Sequence, residues 1–143
     1  GSKVIVTSWE PFSRDKTYSF YRLRQIDDVL IMDWSFVSLS RFKVFTVDAG
    51  ENLMFLQVNG NVIKMNVSDF VVSSVGGGSH NVMGSAMEGV RIPFILTNDI
   101  IDTIKQSPIV KYRIYTDAGF KEYEVKEKFY NSLVDALNLM NNG

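Results

Sequence analysis

The chain has 143 residues, 15 basic and 16 acidic, is 45% hydrophobic and 22% charged, and contains no cysteine and one histidine, His80. That length suits one domain with a self-sufficient core. The balanced charge lacks the basic excess of a nucleic-acid or anionic-membrane binder, and the missing cysteines exclude disulfides, thiolate zinc sites and cysteine nucleophiles.

Gly1-Ser2 reads as the remnant of a cleaved tag, which leaves residues 3–142 as a single domain. From Lys3 to about Ser68 the pattern is that of strands. Lys3–Thr7 carries the β-branched run Val4, Ile5, Val6. Tyr18–Gln25 places Tyr21 and Leu23 on one face and Tyr18, Phe20, Arg22 and Arg24 on the other. Asp28–Val37 places Leu30, Met32, Trp34 and Phe36 on one face, the period of two of a half-buried strand. Its other face mixes Val29, Ile31 and Val37 with Asp33 and Ser35, so a partial cover is expected there; Asp27-Asp28 marks the intervening turn.

Further strands are predicted over Lys43–Asp48, Leu53–Val58 and Ile63–Val67, with Asn59-Gly60 offering a type I′ turn in which both residues take positive φ. Asn66-Val67-Ser68 matches a glycosylation acceptor, but its mid-strand place makes the match coincidental. Residues 73–89 hold five of the ten glycines and read as one long flexible Gly/Ser-rich loop. A helix is predicted over 97–107, opened by Thr97 and ended by Ser107-Pro108.

A hairpin follows. A four-residue loop over Asp117–Phe120 would pair Ile114 with Tyr123, Tyr112 with Val125 and Arg113 with Glu124. Glu127–Met140 closes the chain as a helix with Phe129, Leu133, Leu137 and Met140 on one stripe. Asp-Ala-Gly occurs at Asp48 and again at Asp117, which indicates one turn chemistry used twice. The expected fold is α+β: an antiparallel β meander, curled into a sandwich or half-barrel, with two packed helices at about 97–107 and 127–140. A pleckstrin-homology-like arrangement is one variant of it.

The chemistry-bearing motifs are sparse. The glycine loop has neither the spacing nor the lysine of a phosphate-binding loop, and Gly76 and Gly78 are followed by Asn81 where a dinucleotide fingerprint needs glycine. A Ser-His-Asp relay would have to use His80, which five glycines leave without rigid placement. The aspartates lack calcium-loop spacing and the histidine stands alone, so no metal or cofactor is expected.

Trp9, Phe12 and Tyr18 flank a polar turn and are expected at the surface. With His80, Asn81 and Met83 of the loop they form the candidate contact set for a protein or glycan partner. Self-association through an apolar edge or patch is a further expectation. The rival activity is a hydrolase built on paired carboxylates, which would need raised carboxyl pKa values in one cleft. No apolar run reaches membrane-span length.

The order of a Gly/Ser-rich loop, the helix at Leu96–Ser107, Ile109–Thr116, Gly119-Phe120, Glu124–Lys128 and a closing amphipathic helix resembles small exported proteins of Gram-negative bacteria that carry no assigned activity. The likeness covers about residues 40–140. It implies a β-rich body and an exported location, periplasmic or surface-anchored, with a signal sequence removed ahead of Gly1. Composition alone also fits a cytoplasmic protein. The resemblance carries no functional residue over.

Overall fold

A computed structural model describes residues 4–7, 9–12, 18–41, 44–75 and 87–141. The first strands are β1 (Val4–Val6), β2 (Glu10–Pro11), β3 (Tyr18–Ile26) and β4 (Val29–Arg41). They are followed by β5 (Thr46–Val47), β6 (Gly50–Gln57), β7 (Val62–Val67), β8 (Val71–Val72) and β9 (Ser74–Val75). Next come β10 (Met87–Ile95), helix α1 (Asn98–Gln106), β11 (Ile109–Thr116), β12 (Gly119–Glu124) and helix α2 (Ser132–Asn141).

All strand pairings among the described residues are antiparallel and two helices pack on the sheets, so the α+β antiparallel architecture holds. A six-stranded sheet runs β1-β3-β4-β10-β9 with β2 also on β3, a four-stranded sheet runs β12-β11-β6-β7, and β5 pairs β8 alone. The pairing of β4 with β10 and of β6 with β11 joins strands far apart in sequence, so the connectivity is more than next-neighbour hairpins.

The two large sheets share one core. Trp34 and Phe36 of β4 stack on each other at 5.7 Å. Across the gap Tyr112 of β11 meets Trp34 at 5.4 Å and Phe36 at 6.5 Å, while Phe36 meets Tyr123 at 5.7 Å. Phe12 fills one end against Phe55, at 5.3 Å. Edge and tilted ring pairs of this kind add roughly 0.5–1.5 kcal/mol beyond their buried area. Tyr21 is fully buried, and its hydroxyl bonds to Ser132, tying β3 to α2.

Burial first, then the charges of Glu10 and Asp135, push the Tyr21 phenol up to about 12 against the lowering effect of the Ser132 bond. A phenol raised in the folded state stabilises below its unfolded value near 10, and that stability goes as pH climbs towards about 12. Tyr21→Phe should therefore cost about 1 kcal/mol at neutral pH and flatten the alkaline fall in stability. Urea titrations at pH 8 and pH 11 check both.

Helix α1 starts where expected. The Thr97 hydroxyl caps it by accepting from the Ile100 amide at 3.3 Å. Its far end is closed by Gln57 at the end of β6, whose Nε2 donates to the carbonyls of Thr103 and Ser107, both at 2.7 Å. The last carbonyls of a helix have no internal partner. Gln57→Leu should thus strand them and destabilise the fold by about 1–3 kcal/mol, measurable by chemical denaturation, with Thr97→Ala costing about 1 kcal/mol.

Several local expectations shift. The 117 hairpin pairs Tyr112 with Tyr123, Arg113 with Glu122 and Thr116 with Gly119, two residues tighter than the four-residue loop. Gly119 takes φ +103°, and Thr116 Oγ1 accepts from the Ala118 amide and donates to the Gly119 carbonyl, which closes the turn over two residues. Gly50 in the other Asp-Ala-Gly also has positive φ, but it opens β6 and β5 does not pair with β6, so the repeat shares the glycine conformation and not a hairpin turn. At Asn59-Gly60 only Gly60 is left-handed, so the turn is not type I′. The Gly60 amide bonds back to the Gln57 carbonyl, and Asn59 Oδ1 accepts from the Asn61 amide.

Of the strand expected over Lys43–Asp48, β5 keeps Thr46–Val47, and Lys43 lies outside the described residues. The closing helix begins at Ser132, after a 3₁₀ turn at Glu127–Phe129 that seats Phe129 and Tyr130 beside Phe12, Ile104 and Ile109. Of the loop expected over 73–89, residues 74–75 form β9 and residues 87–89 belong to β10, and the two strands pair with each other; residues 76–86 lie outside the described residues.

Candidate functional site on the outer face of the six-stranded sheet

The register fixes which side chains share the outer face. Val4, Ile26 and Val29 form one row across β1, β3 and β4. Val6, Arg24, Ile31 and Ile95 form the next, across β1, β3, β4 and β10. Arg22, Asp33 and Pro93 follow, then Phe20, Ser35 and Arg91. These strands form because β-branched residues alternate with inward rings and leucines, and Asp27 at φ 52° makes the tight turn that sets the β3–β4 register.

The upper rows make a cationic cluster. Arg22 Nε donates to Asp33 Oδ2 at 2.8 Å; Arg24 Nε donates to the same oxygen at 2.5 Å and its Nη2 to Oδ1 at 2.9 Å. Burial by itself would raise the Asp33 carboxyl, but the hydrogen bonds and charges of Arg24 and Arg22 outweigh it and hold the group below the ordinary carboxylate range. The guanidinium groups of Arg22 and Arg91 lie over the Trp9 ring, 4.8 and 4.7 Å from its centre. Arg22 stands on β3 and Arg91 on β10, so an indole that meets both lies across β4, above Asp33 and Ser35. That cover explains why Asp33 is only 3% exposed on the outside of a sheet.

The lower rows are aliphatic and open. Val4, Val6 and Val29 are exposed, Ile95 is 65% exposed, and Ile26 and Ile31 are half-buried between them. Single exposed apolar residues are ordinary, whereas a contiguous set across four strands is a candidate contact surface.

A hollow of about 210 Å³ lies on the outside of the four-stranded sheet, lined by Met54, Leu56, Val62, Lys111, Arg113 and Glu122. It is smaller than the 300–1,000 Å³ usual for small-molecule sites. Arg113 is already bound to Glu122 at 3.0 Å and lies over Phe120 at 4.3 Å. Among the described residues no group of His, Asp and Glu is arranged to hold a metal, and no helix is long and apolar enough to cross a membrane.

The expected contact residues are scattered. Trp9 is half-buried under its two arginines. Phe12 is 3% exposed, so it is core and cannot meet a partner: its ring fills the space between Tyr21, Phe55 and Tyr112. Tyr18 pairs with Val37 in β3. His80, Asn81 and Met83 lie outside the described residues.

The sequence reading missed Ile95, whose strand is interrupted in pattern by Pro93, and missed Val4 and Val6 as surface contributors. The available signal was the alternation of Val90, Ile92, Phe94 and Leu96, all buried, with Arg91, Pro93 and Ile95. No protein-family model matches the chain, and no curated protein or solved structure matches it either.

Proposed function

We propose that this chain is a non-enzymatic binding module that contacts a protein partner through the outer face of its six-stranded sheet. One observation carries this reading: the contiguous aliphatic rows of Val4, Val6, Ile26, Val29, Ile31 and Ile95, bordered by arginines. An apolar centre with arginine at its border is the composition of protein interfaces. A glycan is favoured less, because sugars are bound on open aromatic faces and two guanidinium groups lie over the Trp9 ring.

The hydrolase alternative needs a carboxyl held protonated near neutral pH. Asp33, buried and clasped by two arginines, is held in the opposite state. An exported location belongs to this reading through the resemblance alone and is compatible with the lack of cysteine; fractionation of cells expressing the natural gene checks it.

Ile95→Asp tests the contact face. The side chain is mostly in solvent, so the fold should survive, while the carboxylate lands among the aliphatic rows. Proteins cross-linked to the parent in extract of its own cells should be lost with the variant. If the variant retains all of them, the contact lies elsewhere.

A further inference from the structure

We propose that the hollow on the outside of the four-stranded sheet binds a short aliphatic carboxylate of about six carbons. Its chain lies on Leu56, Met54 and Val62, and its carboxylate meets the ammonium of Lys111. The site belongs to the second sheet alone and is independent of the contact face proposed above.

The register builds the hollow. Val62, Leu56, Lys111 and Glu124 form one row across β7, β6, β11 and β12, and Lys64, Met54, Arg113 and Glu122 form the next. Leu53, Phe55, Ile63, Met65, Tyr112 and Ile114 alternate with them and are buried in the core, so the two rows point outward. Three aliphatic side chains are thereby adjacent on an open face. Met54 and Leu56 are half-buried and Val62 is 51% exposed. Together with Lys111, Arg113 and Glu122 they line about 210 Å³.

The charged groups around this floor differ in what they are free to do. Arg113 donates to Glu122 at 3.0 Å and to the Tyr115 hydroxyl at 3.3 Å, and its guanidinium lies over Phe120. Arg113 and Glu122 thus form a neutral wall, and the fork that would clasp a phosphate is consumed. Lys111 is the exception. Among the described residues no hydrogen bond or ion pair reaches its ammonium, although Glu124 stands across from it on β12.

An aliphatic floor with one uncommitted cation at its rim fits an apolar chain that ends in one negative charge. The floor side chains carry no hydrogen-bond donor for a sugar, and a cationic ligand would be opposed by Lys111. At ~30 Å³ for each water-sized atom the hollow takes about seven heavy atoms. Hexanoate is of that size, with its carboxylate at the rim. The hollow is open to solvent, so a roughly millimolar dissociation constant is expected. Each methylene should tighten binding about threefold, which leaves butanoate about tenfold weaker than hexanoate.

Methyl NMR of methionine-labelled protein tests this, with hexanoate, butanoate, hexan-1-ol and hexylamine titrated to about 50 mM. The Met54 methyl should shift saturably with hexanoate while the buried methyls of Met32 and Met65 stay still. Hexanoate should bind about threefold tighter than hexan-1-ol, the size of a part-exposed ion pair, with hexylamine weaker than both. The Lys111 side chain holds no partner in the fold, so Lys111→Glu should fold, and it should reverse the order of hexanoate and hexylamine.

A Met54 methyl that hexanoate leaves unmoved overturns the proposal, as does a parent that prefers hexylamine. So does a Lys111→Glu chain that keeps the parent's preference, because the cation would then take no part in recognition.

Discussion

Tyr112→Ala is expected to lower stability by about 3–5 kcal/mol, the range for emptying a buried aromatic site, and to drop the melting temperature by roughly 10 °C or more. Tyr112 is 1% exposed and its ring touches those of Phe12, Trp34, Phe36 and Tyr123, so it links β4 of one sheet to β11 and β12 of the other. Removing it leaves a space that four rigid rings on two sheets cannot easily fill. Tyr112→Phe keeps the ring and should cost no more than about 1.5 kcal/mol. Urea denaturation of the two variants separates the ring from the hydroxyl. A loss below about 1 kcal/mol for the alanine variant would mean that the two sheets do not share this core.

Asp33→Ala is expected to cost about 2 kcal/mol, within the range for hydrogen bonds to charged groups and below the 3–5 kcal/mol of a fully buried pair. The discount follows from geometry: Asp33 is buried, but the Arg22 and Arg24 side chains keep 30% and 28% of their exposure, so water screens what remains. Without the carboxylate two guanidinium groups face each other on one sheet surface. The pH dependence has a definite sign. The folded carboxyl is held below its ordinary value, so its stabilisation is present above the unfolded pKa near 4 and is lost as pH falls through the lower folded value. The parent should therefore lose stability below about pH 4, and the alanine variant should show less of that acid slope. Equal slopes in the two proteins would contradict the pairing.

The sequence disclosed the elements whose causes are local. The β3–β4 hairpin was legible because Leu30, Met32, Trp34 and Phe36 alternate and Asp27-Asp28 supplies a turn, and all four side chains are buried as that pattern requires. Thr97 and Ser107-Pro108 bracket α1 for equally local reasons. What stayed hidden depends on distant pairing. Nothing near β4 specifies β10 as its neighbour, and Pro93 broke the strand pattern of β10 itself. Pro93 is tolerated because, among the described residues, β9 pairs with Glu88 and Gly89 and no strand pairs with Pro93 on its second side.

The proposed contact face was half legible. Val29 and Ile31 stand opposite the core face, where a partial cover is expected; Trp9 covers Asp33 and Ser35, and Val37 further along the same face is buried as well. The aliphatic rows emerge only when β1 and β10 are placed beside that hairpin. Phe12 was misjudged because a ring beside a polar turn looks the same in sequence whether it points outward or into the gap between two sheets.

The most direct measurement of the central claim is methyl NMR of isoleucine- and valine-labelled protein, recorded as unlabelled protein and then extract of its own cells are added. The contact-face account predicts shifts and broadening at Val4, Val6, Val29, Ile31 and Ile95 while core methyls such as Ile104 and Ile114 stay still. Changes confined to Val44 and Val72, the exposed valines beside and within the β5–β8 pair, would contradict it.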